Sequence, residues 1–491
     1  MRFVGKVKKT NPLLWIILFA SIACIVFICF GLWGQEIGFP LDDAWIHQTY
    51  AKNLVTFGSW TYSSGMVSGG STSPLWTLLI SLGYLISNNF GILWTFVISV
   101  MAFLLLVSFS SLTFRNEGDQ TQIWKVFFFG LLLASEWHLL WSTGSGMETT
   151  LYSLAIVFLM YLLFKVQQNW LWIGITAGLL VWLRPDGITL LGPIAFIFVL
   201  QFTRKQSSLK ELFSFLGPYI FFGAGYILFN LLTTGNILPN TFYAKQIEYQ
   251  ELLNAPIFNR ILTEISPVMT GAGLLVLPGF LFEIWQSIRT KNTKYFAIIL
   301  WILGFILLYS FRLPVVYQHG RYIVPVIAPY FILGCIGIFS LLSQIKNIKF
   351  GKLLSVTWIG SIAIIAVGFY FIGMNTYRSD VEIINQLLVQ PAKWVNDNLS
   401  QDDIIAVHDI GAMGYFSNRK LIDLAGLINP EVIPIMNDQN KIFQFMKTSD
   451  ADYFVGFQDW YSNSSTWGTP IKLFTGIYQN TEETVVVLKL K

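Results

Sequence analysis

The chain has 491 residues, 54% of them hydrophobic and 12% charged, with a mean hydropathy of +0.59. A soluble domain carries about twice that charged fraction, so a soluble enzyme is excluded and a polytopic membrane protein of roughly ten or more spans is expected. The net charge of +4 means little, because the distribution of Lys and Arg matters more than the sum, and no nucleic-acid partner is expected; Cys24, Cys29 and Cys335 all lie in apolar segments, which suggests neither a disulfide framework nor a metal cluster.

Arg2, Lys6, Lys8 and Lys9 precede the first apolar segment, residues 13–33. That segment is long enough to span and has no small-residue cleavage site, so it reads as an uncleaved helix with a cytoplasmic N-terminus. Residues 34–72 then form the first outside loop. Within it, Leu41-Asp42-Asp43-Ala44-Trp45-Ile46-His47-Gln48-Thr49-Tyr50 reads as a helix at the membrane surface, capped by Asp42 or Asp43. Asp43, His47 and Tyr50 share one face by their spacing. Two adjacent carboxylates beside a span are costly to desolvate, and a cap needs only one.

Further apolar segments cover residues 73–87, 90–113, 123–142, 151–164, 170–183, 188–202, 212–232, 267–285, 295–311, 322–342 and 353–373. Three basic clusters belong on the cytoplasmic side: Arg204, Lys205 and Lys210; Arg289, Lys291 and Lys294; and Lys346, Lys349 and Lys352. This places 233–260, 312–321 and everything after 373 outside. Parity then demands an odd number of crossings in 73–113, where two segments are visible, so one of them is re-entrant, in-plane or merged with its neighbour. About eleven transmembrane helices result, with the termini on opposite sides.

Beyond residue 374 the charge becomes normal for a soluble domain. A helical stretch at 381–398 precedes strand-like 404–407, a turn at Gly411, strand-like 420–423, and late strands at 453–457 and 484–490. The chain is therefore expected to divide into a transmembrane part, 1–374, and an extracytoplasmic α/β domain, 375–491.

Six polar motifs gather on the outer side of this topology: Asp42-Asp43; Ser145-Gly146-Met147-Glu148-Thr149-Thr150; Arg184-Pro185-Asp186-Gly187; Asn240-Thr241-Phe242-Tyr243-Ala244-Lys245; His319-Gly320-Arg321-Tyr322; and His408-Asp409-Ile410-Gly411, followed by Tyr415, Arg419 and Asp423. Each has a plain structural alternative. Glu148 can partner a helix cap, Arg184 and Arg321 can snorkel, Asp186 can pair Arg184 or shape its turn, Lys245 can be a solvated charge, and His408 and Asp409 can serve folding alone. Their convergence on one face is what those readings leave unexplained. Acids with scattered cations at a membrane surface suit sugar transfer from a lipid phosphate. Arg or Lys holds the phosphate, and a carboxylate deprotonates the acceptor hydroxyl on the opposite face of the sugar, which inverts the anomeric centre. A transporter or flippase of lipid-linked sugars, or a non-catalytic envelope-assembly subunit, are the alternatives; the absence of an internal repeat speaks against the first.

The ordered set of these motifs, with Thr72-Ser73-Pro74-Leu75-Trp76-Thr77 and Asp423-Leu424-Ala425-Gly426-Leu427, resembles the GT-C superfamily of polyprenyl-phosphate-sugar glycosyltransferases. Within it the pattern is most similar to bacterial relatives of the mycobacterial terminal arabinofuranosyltransferase. The resemblance implies a GT-C membrane fold in the plasma membrane, an active site on its outer face, a polyprenyl-phosphate-linked sugar donor and a glycan or glycolipid acceptor. It implies an acid of the first loop as catalytic base. Asp42 is expected to be the base, being nearer the loop, with Asp43 as its positioning partner. Arg184, Lys245, His319, Arg321, Glu148 and His47 are expected to bind the donor phosphate or sugar, and Asp409, Tyr415 and Asp423 to lie on the acceptor side. The 408–414 loop is expected to face the membrane cavity and cover the acceptor entrance. Several GT-C branches hold a divalent metal (Mg, Mn or Ca) near the acids; with no His/Cys cluster here, Asp42 and Asp43 are its candidate ligands and the dependence stays open.

Overall fold

The structure is a computed structural model and describes residues 11–63, 66–117, 123–315, 317–345, 349–478 and 481–491. The basic N-terminal cluster Arg2, Lys6, Lys8 and Lys9, and Lys346 of the third basic cluster, lie outside the described residues.

The chain opens with α1 (Pro12–Gly31), then α2 (Asp43–Phe57), which Gly58 closes in the left-handed conformation (φ 66). Two short strands, β1 (Thr61–Ser63) and β2 (Met66–Val67), pair antiparallel within residues 34–72, the expected first outside loop, where the sequence predicts no strand. Next come α3 (Pro74–Tyr84), α4 (Asn88–Glu117), α5 (Ile123–Ala134) and α6 (Trp137–Gly144). The bundle continues through α7 (Thr149–Phe164), α8 (Trp170–Leu183), α9 (Leu191–Thr203) and α10 (Leu209–Thr234). Beyond it lie α11 (Asn240–Glu248), α12 (Ile257–Met269), α13 (Gly273–Thr290) and α14 (Thr293–Arg312). A single turn, α15 (Tyr317–Gly320), leads to α16 (Val324–Ile345) and α17 (Gly351–Ile384).

Seven of the described helices are long and apolar enough to cross a membrane, and nine spans result if each of two bent pairs, α5–α6 and α12–α13, is one. Adding the shorter apolar α7 and α8 to these gives eleven. The parity problem in 73–113 resolves at α3. Its 11 residues reach only about 16 Å at 1.5 Å per residue, half the hydrocarbon thickness of about 30 Å, so α4 is the crossing helix.

α17 does not stop at the expected boundary. It runs 34 residues through positions 374 and 375, continues as a π turn (Asn385–Val389), and passes into α18 (Gln390–Asn398). The C-terminal domain then alternates β3 (Ile404–Val407), α19 (Ile410–Phe416), β4 (Lys420–Asp423), α20 (Gln439–Thr448), β5 (Tyr453–Phe457), β6 (Gly468–Tyr478) and β7 (Thr481–Leu490). The sheet order is β4-β3-β5-β7-β6. β3 lies parallel to β4 and β5 because helices return the chain between them, while the tight β6–β7 connection makes that pair antiparallel. The turn expected at Gly411 is instead the first turn of α19. β6 was missed because it carries Pro470 and Gly476, both poor strand formers; an edge strand tolerates the proline, and the register slips there.

One apolar core fills the bundle. A second joins one sheet face (Ile405, Val407, Val485) to Ile46, Tyr50 and Ala244 of the membrane part, so the two parts share buried surface. A third lies on the other sheet face, under α20.

Candidate functional site

The six motifs meet where α2 lies between the bundle and the C-terminal domain. Side-chain ties to main chain assemble them. The Ser73 hydroxyl donates to the Leu183 carbonyl, next to Arg184, and Trp76 Nε1 donates to the Gly146 carbonyl (2.9 Å), next to Glu148. Asn240 Nδ2 donates to the Leu427 carbonyl (3.2 Å) and the Thr241 hydroxyl to the Gly70 carbonyl (3.3 Å).

Adjacent positions give the two acids different surroundings. Asp42 makes no cap on its own helix. Its Oδ2 accepts the Gly411 N–H (2.6 Å) and its Oδ1 the Ala412 N–H (2.7 Å), so it caps α19 from another part of the fold. Asp409, which stands at the N-cap of α19, makes no such bond. Burial and the nearby Asp409 carboxylate lift Asp42 to about 8. The expectation that Asp42 is the freer acid is thus overturned: both its oxygens are engaged, and it is 8% exposed.

Asp43 faces open space. Its Oδ2 accepts Arg321 Nη2 at 2.5 Å and Lys245 Nζ at 3.2 Å. Burial favours its neutral form, yet these two cations outweigh it and hold the carboxyl well below the usual range. Tyr322 and Tyr317 close the cluster. Lys245 Nζ lies 3.0 Å and Arg321 Nη2 3.1 Å from the Tyr322 hydroxyl, and each lies 3.3 Å from that of Tyr317. Burial would raise the Tyr322 phenol, but Arg321 and Lys245 draw it down to about 8.

Two half-open clefts flank Asp43, with about 1050 and about 1470 Å³ of empty space counted out into solvent. The first is rich in cations: Arg184, Lys245, Arg312 and Arg321 line it with Asp43, His47, Glu148 and Asp186. Arg321 is 4% exposed, and among the described residues its Nε and Nη1 find no hydrogen-bond partner. Buried guanidinium donors left open are rare, because desolvation without a partner is costly. Arg184 is bidentate to Asp186 (2.9 and 3.2 Å), and the Tyr309 hydroxyl also donates to Asp186 (2.5 Å). Asp186 therefore orients Arg184. Glu148 Oε1 lies 4.0 Å from Arg184, and its Oε2 lies 3.8 Å from His47 Nε2. Burial lowers the pKa of His47, so its ring is neutral near pH 7, with Nδ1 against the Ser71 and Thr77 hydroxyls at 3.1 and 3.0 Å.

The second cleft lies under the C-terminal domain. Asp42, Asp43, Glu248, Asp380, Asp409 and Glu483 line it with Lys245, His408 and the aromatic faces of Tyr317 and Trp460. The 408–414 loop therefore does lie over this cavity, through His408, Asp409 and Ile410. Burial opposes the charge on His408, but Asp409 overrides it and raises the imidazole to about 9.

Three expected site residues fall elsewhere. His319 lines neither cleft; its Nε2 bonds Asp380 Oδ2 at 2.7 Å. Tyr415 lies behind α2, between Trp45 and Lys52. Asp423 is fully buried and accepts the Ala425 and Ile428 N–H groups at 2.8 and 2.6 Å, shaping the turn in which Gly426 (φ 75) sets Leu427 between the clefts. Conversely, Tyr317, Tyr322, Arg312 and Asp380 belong to the site surroundings and were not singled out as site residues. Tyr322 stood beside Arg321 in its motif and was the legible one.

The donor set does not fit a divalent ion. Asp42 spends its oxygens on backbone N–H groups, and the ammonium and guanidinium on Asp43 stand where a metal would. No group of three or more His, Cys, Asp or Glu suited to a metal occurs among the described residues.

A family described as a domain of unknown function (DUF8728) matches residues 375–487. A search of curated proteins finds no match. Solved structures align over most of the chain. ArnT from Cupriavidus metallidurans, bound to undecaprenyl phosphate, has a TM-score of 0.58 at 12% identity, covering 96% of this chain and 98% of that one. AglB from Archaeoglobus fulgidus, an archaeal oligosaccharyltransferase in complex with an inhibitory peptide and a dolichol-phosphate, has 0.59 at 11%, covering 91% and 69%. An Archaeoglobus fulgidus oligosaccharyltransferase complexed with Zn and sulfate has 0.57 at 13%, covering 96% and 72%. At these identities the likeness establishes the fold: a polytopic GT-C-type helical membrane protein with a C-terminal domain of mixed sheet.

Proposed function

We propose that this chain is an inverting GT-C glycosyltransferase, moving a hexosyl or pentosyl group from a polyprenyl-phosphate donor to a glycan or glycolipid acceptor. The reaction takes place on the outer face of a bacterial plasma membrane, with the N-terminus cytoplasmic and the 375–491 domain outside over the membrane part, 1–374. The observation that carries the reading is Asp43, the carboxylate common to a cation-lined cleft and an acid- and aromatic-lined one. The undecaprenyl phosphate and dolichol-phosphate held by two proteins of the same fold support a lipid phosphate in the first cleft.

The donor phosphate lies against Arg321, Lys245 and Arg184, which line the first cleft together. The acceptor hydroxyl approaches from the second cleft. Both cations bond the same oxygen of Asp43, Oδ2, so Oδ1 is available to that hydroxyl. Its oxygen attacks the anomeric carbon, its proton passes to Asp43, and the sugar–phosphate C–O bond breaks on the opposite face. The charge that collects on the departing phosphate falls on Arg321 and Lys245, held in place in advance. These cations supply what a divalent metal would supply, and no step is routed through one.

The test is mass analysis of envelope glycans from cells lacking the chain, with return of wild type or Asp43→Asn. Loss of one sugar residue, restored only by wild type, is expected. Unchanged glycans, or full restoration by Asp43→Asn, would count against the reading.

A further inference from the structure

Asp380 is a buried carboxylate, 5% exposed, that the proposed reaction does not touch. It stands near the C-terminal end of α17. Its Oδ2 accepts both His319 Nε2 (2.7 Å) and Trp141 Nε1 (2.8 Å). The His319 ring packs edge-on against Trp137 and Trp141, with centroids 5.3 and 5.2 Å away. The backbone at the other end of this bond is unusual. Gln318 (φ 55, ψ 46), His319 (φ 58, ψ 33) and Gly320 (φ 67) are left-handed in succession. Glycine accepts that conformation freely and L-residues do not, so Gln318 and His319 must be held there. A side chain on Gly320 would also collide with Pro267. The residues that this turn delivers are Tyr317 before it and Arg321 and Tyr322 after it, three of the four groups gathered around Asp43.

We propose that Asp380 and His319 are positioning residues, a clamp that holds the left-handed turn so that Arg321, Tyr317 and Tyr322 stay on Asp43. The kinetic consequence rests on the transferase reading; the structural consequence does not. Trp141 and Asp380 make the anchor part of α6 and α17, so the turn is fixed to the rigid bundle rather than to solvent.

The test uses the full chain in detergent or nanodiscs. His319→Phe keeps a ring between the tryptophans and removes the bond; Asp380→Leu removes the acceptor. Each should speed amide hydrogen exchange across 317–323, weaken binding of undecaprenyl phosphate, and lower the transfer rate roughly 10- to 100-fold; acceptor KM should stay unchanged in His319→Phe, whose position lines neither cleft. The double variant should lose no more than Asp380→Leu alone, which already breaks the bond to His319 along with the one to Trp141. Asp380→Asn should leave amide exchange across 317–323 near wild type, since one amide oxygen can still accept from both donors. Adding Gln318→Asn, a residue at ease in the left-handed region, should restore part of the loss in His319→Phe. Unchanged exchange at 317–323, losses that multiply in the double variant, or a raised acceptor KM in His319→Phe would overturn the clamp. Accelerated exchange in a protein whose wild type transfers no sugar would leave the clamp standing and sink the transferase reading.

Discussion

Asp43→Asn is the sharpest perturbation, because it keeps shape and removes charge. The loss of a general base costs about 10²–10⁴ in rate, which is about 2.7–5.4 kcal/mol of transition-state stabilisation at 1.36 kcal/mol per decade. The same change strips the counter-charge from Arg321, 4% exposed, and from Lys245, whose side chain is 13% exposed. Breaking a buried pair outright costs roughly 3–5 kcal/mol, and the asparagine amide oxygen retains part of that. The freed cations have one other anion to hold, the donor phosphate. The variant should therefore turn over at least a hundredfold more slowly yet bind undecaprenyl phosphate as tightly as wild type, or more tightly. The assay is single-turnover transfer from a radiolabelled polyprenyl-phosphate sugar, beside calorimetric binding of the sugar-free lipid phosphate. Near-normal turnover with intact donor binding would refute the assignment of the base and the chemistry drawn from it.

Asp42→Ala should act on docking instead: the Gly411 and Ala412 N–H groups lose their acceptor, at roughly 1–3 kcal/mol each, and exchange or proteolysis in α19 should rise before transfer fails. If Asp42→Ala abolishes transfer while α19 stays protected, the structural role is wrong. Arg321→Lys keeps charge but not the fork, so donor affinity should fall about tenfold with little change in thermal midpoint; an unchanged donor affinity excludes the phosphate contact. Stability of the C-terminal domain should decline from about pH 4 to about pH 9. The raised His408 (about 9) stabilises fully below its ordinary value near 6.5 and loses that contribution as pH rises through 9. The raised Asp42 (about 8) and Asp423 (about 6) bind protons on folding, and their cost grows as pH climbs from the ordinary carboxylate range through those values. A thermal midpoint that increased over that interval would contradict all three.

Much of this was legible before any coordinates. The strands at 404–407, 420–423 and 453–457 follow from short β-branched and aromatic runs between turns, and the structure has them at the same bounds. The clustering of the motifs followed from topology, because span ends on one side of a membrane must be neighbours. The division of labour between Asp42 and Asp43 was hidden, since the partners of Asp42 lie 369 and 370 residues away. Spacing along α2 says which acids share a face with His47, and nothing about which one another part of the chain will engage. His319 and Tyr415 were drawn into the site by adjacency to Arg321 and Asp409, but side-chain direction turns both away. Asp380 gave no local signal: it sits in a helix whose helical character was plain and whose partner, His319, depends on a left-handed turn that no propensity favours.

The unbroken passage of α17 into the C-terminal domain has a consequence for what can be accepted. Its 34 residues form a stiff mast about 51 Å long at 1.5 Å per residue, and Asp42 bolts the top of the structure to α19. Such a mount resists hinge motion, and the second cleft, with Asp43 and Trp460 in its walls, lies beneath it. On the proposed reaction an acceptor must fit that cleft as it stands, so its bulk would count before any hydrogen bond reads its identity.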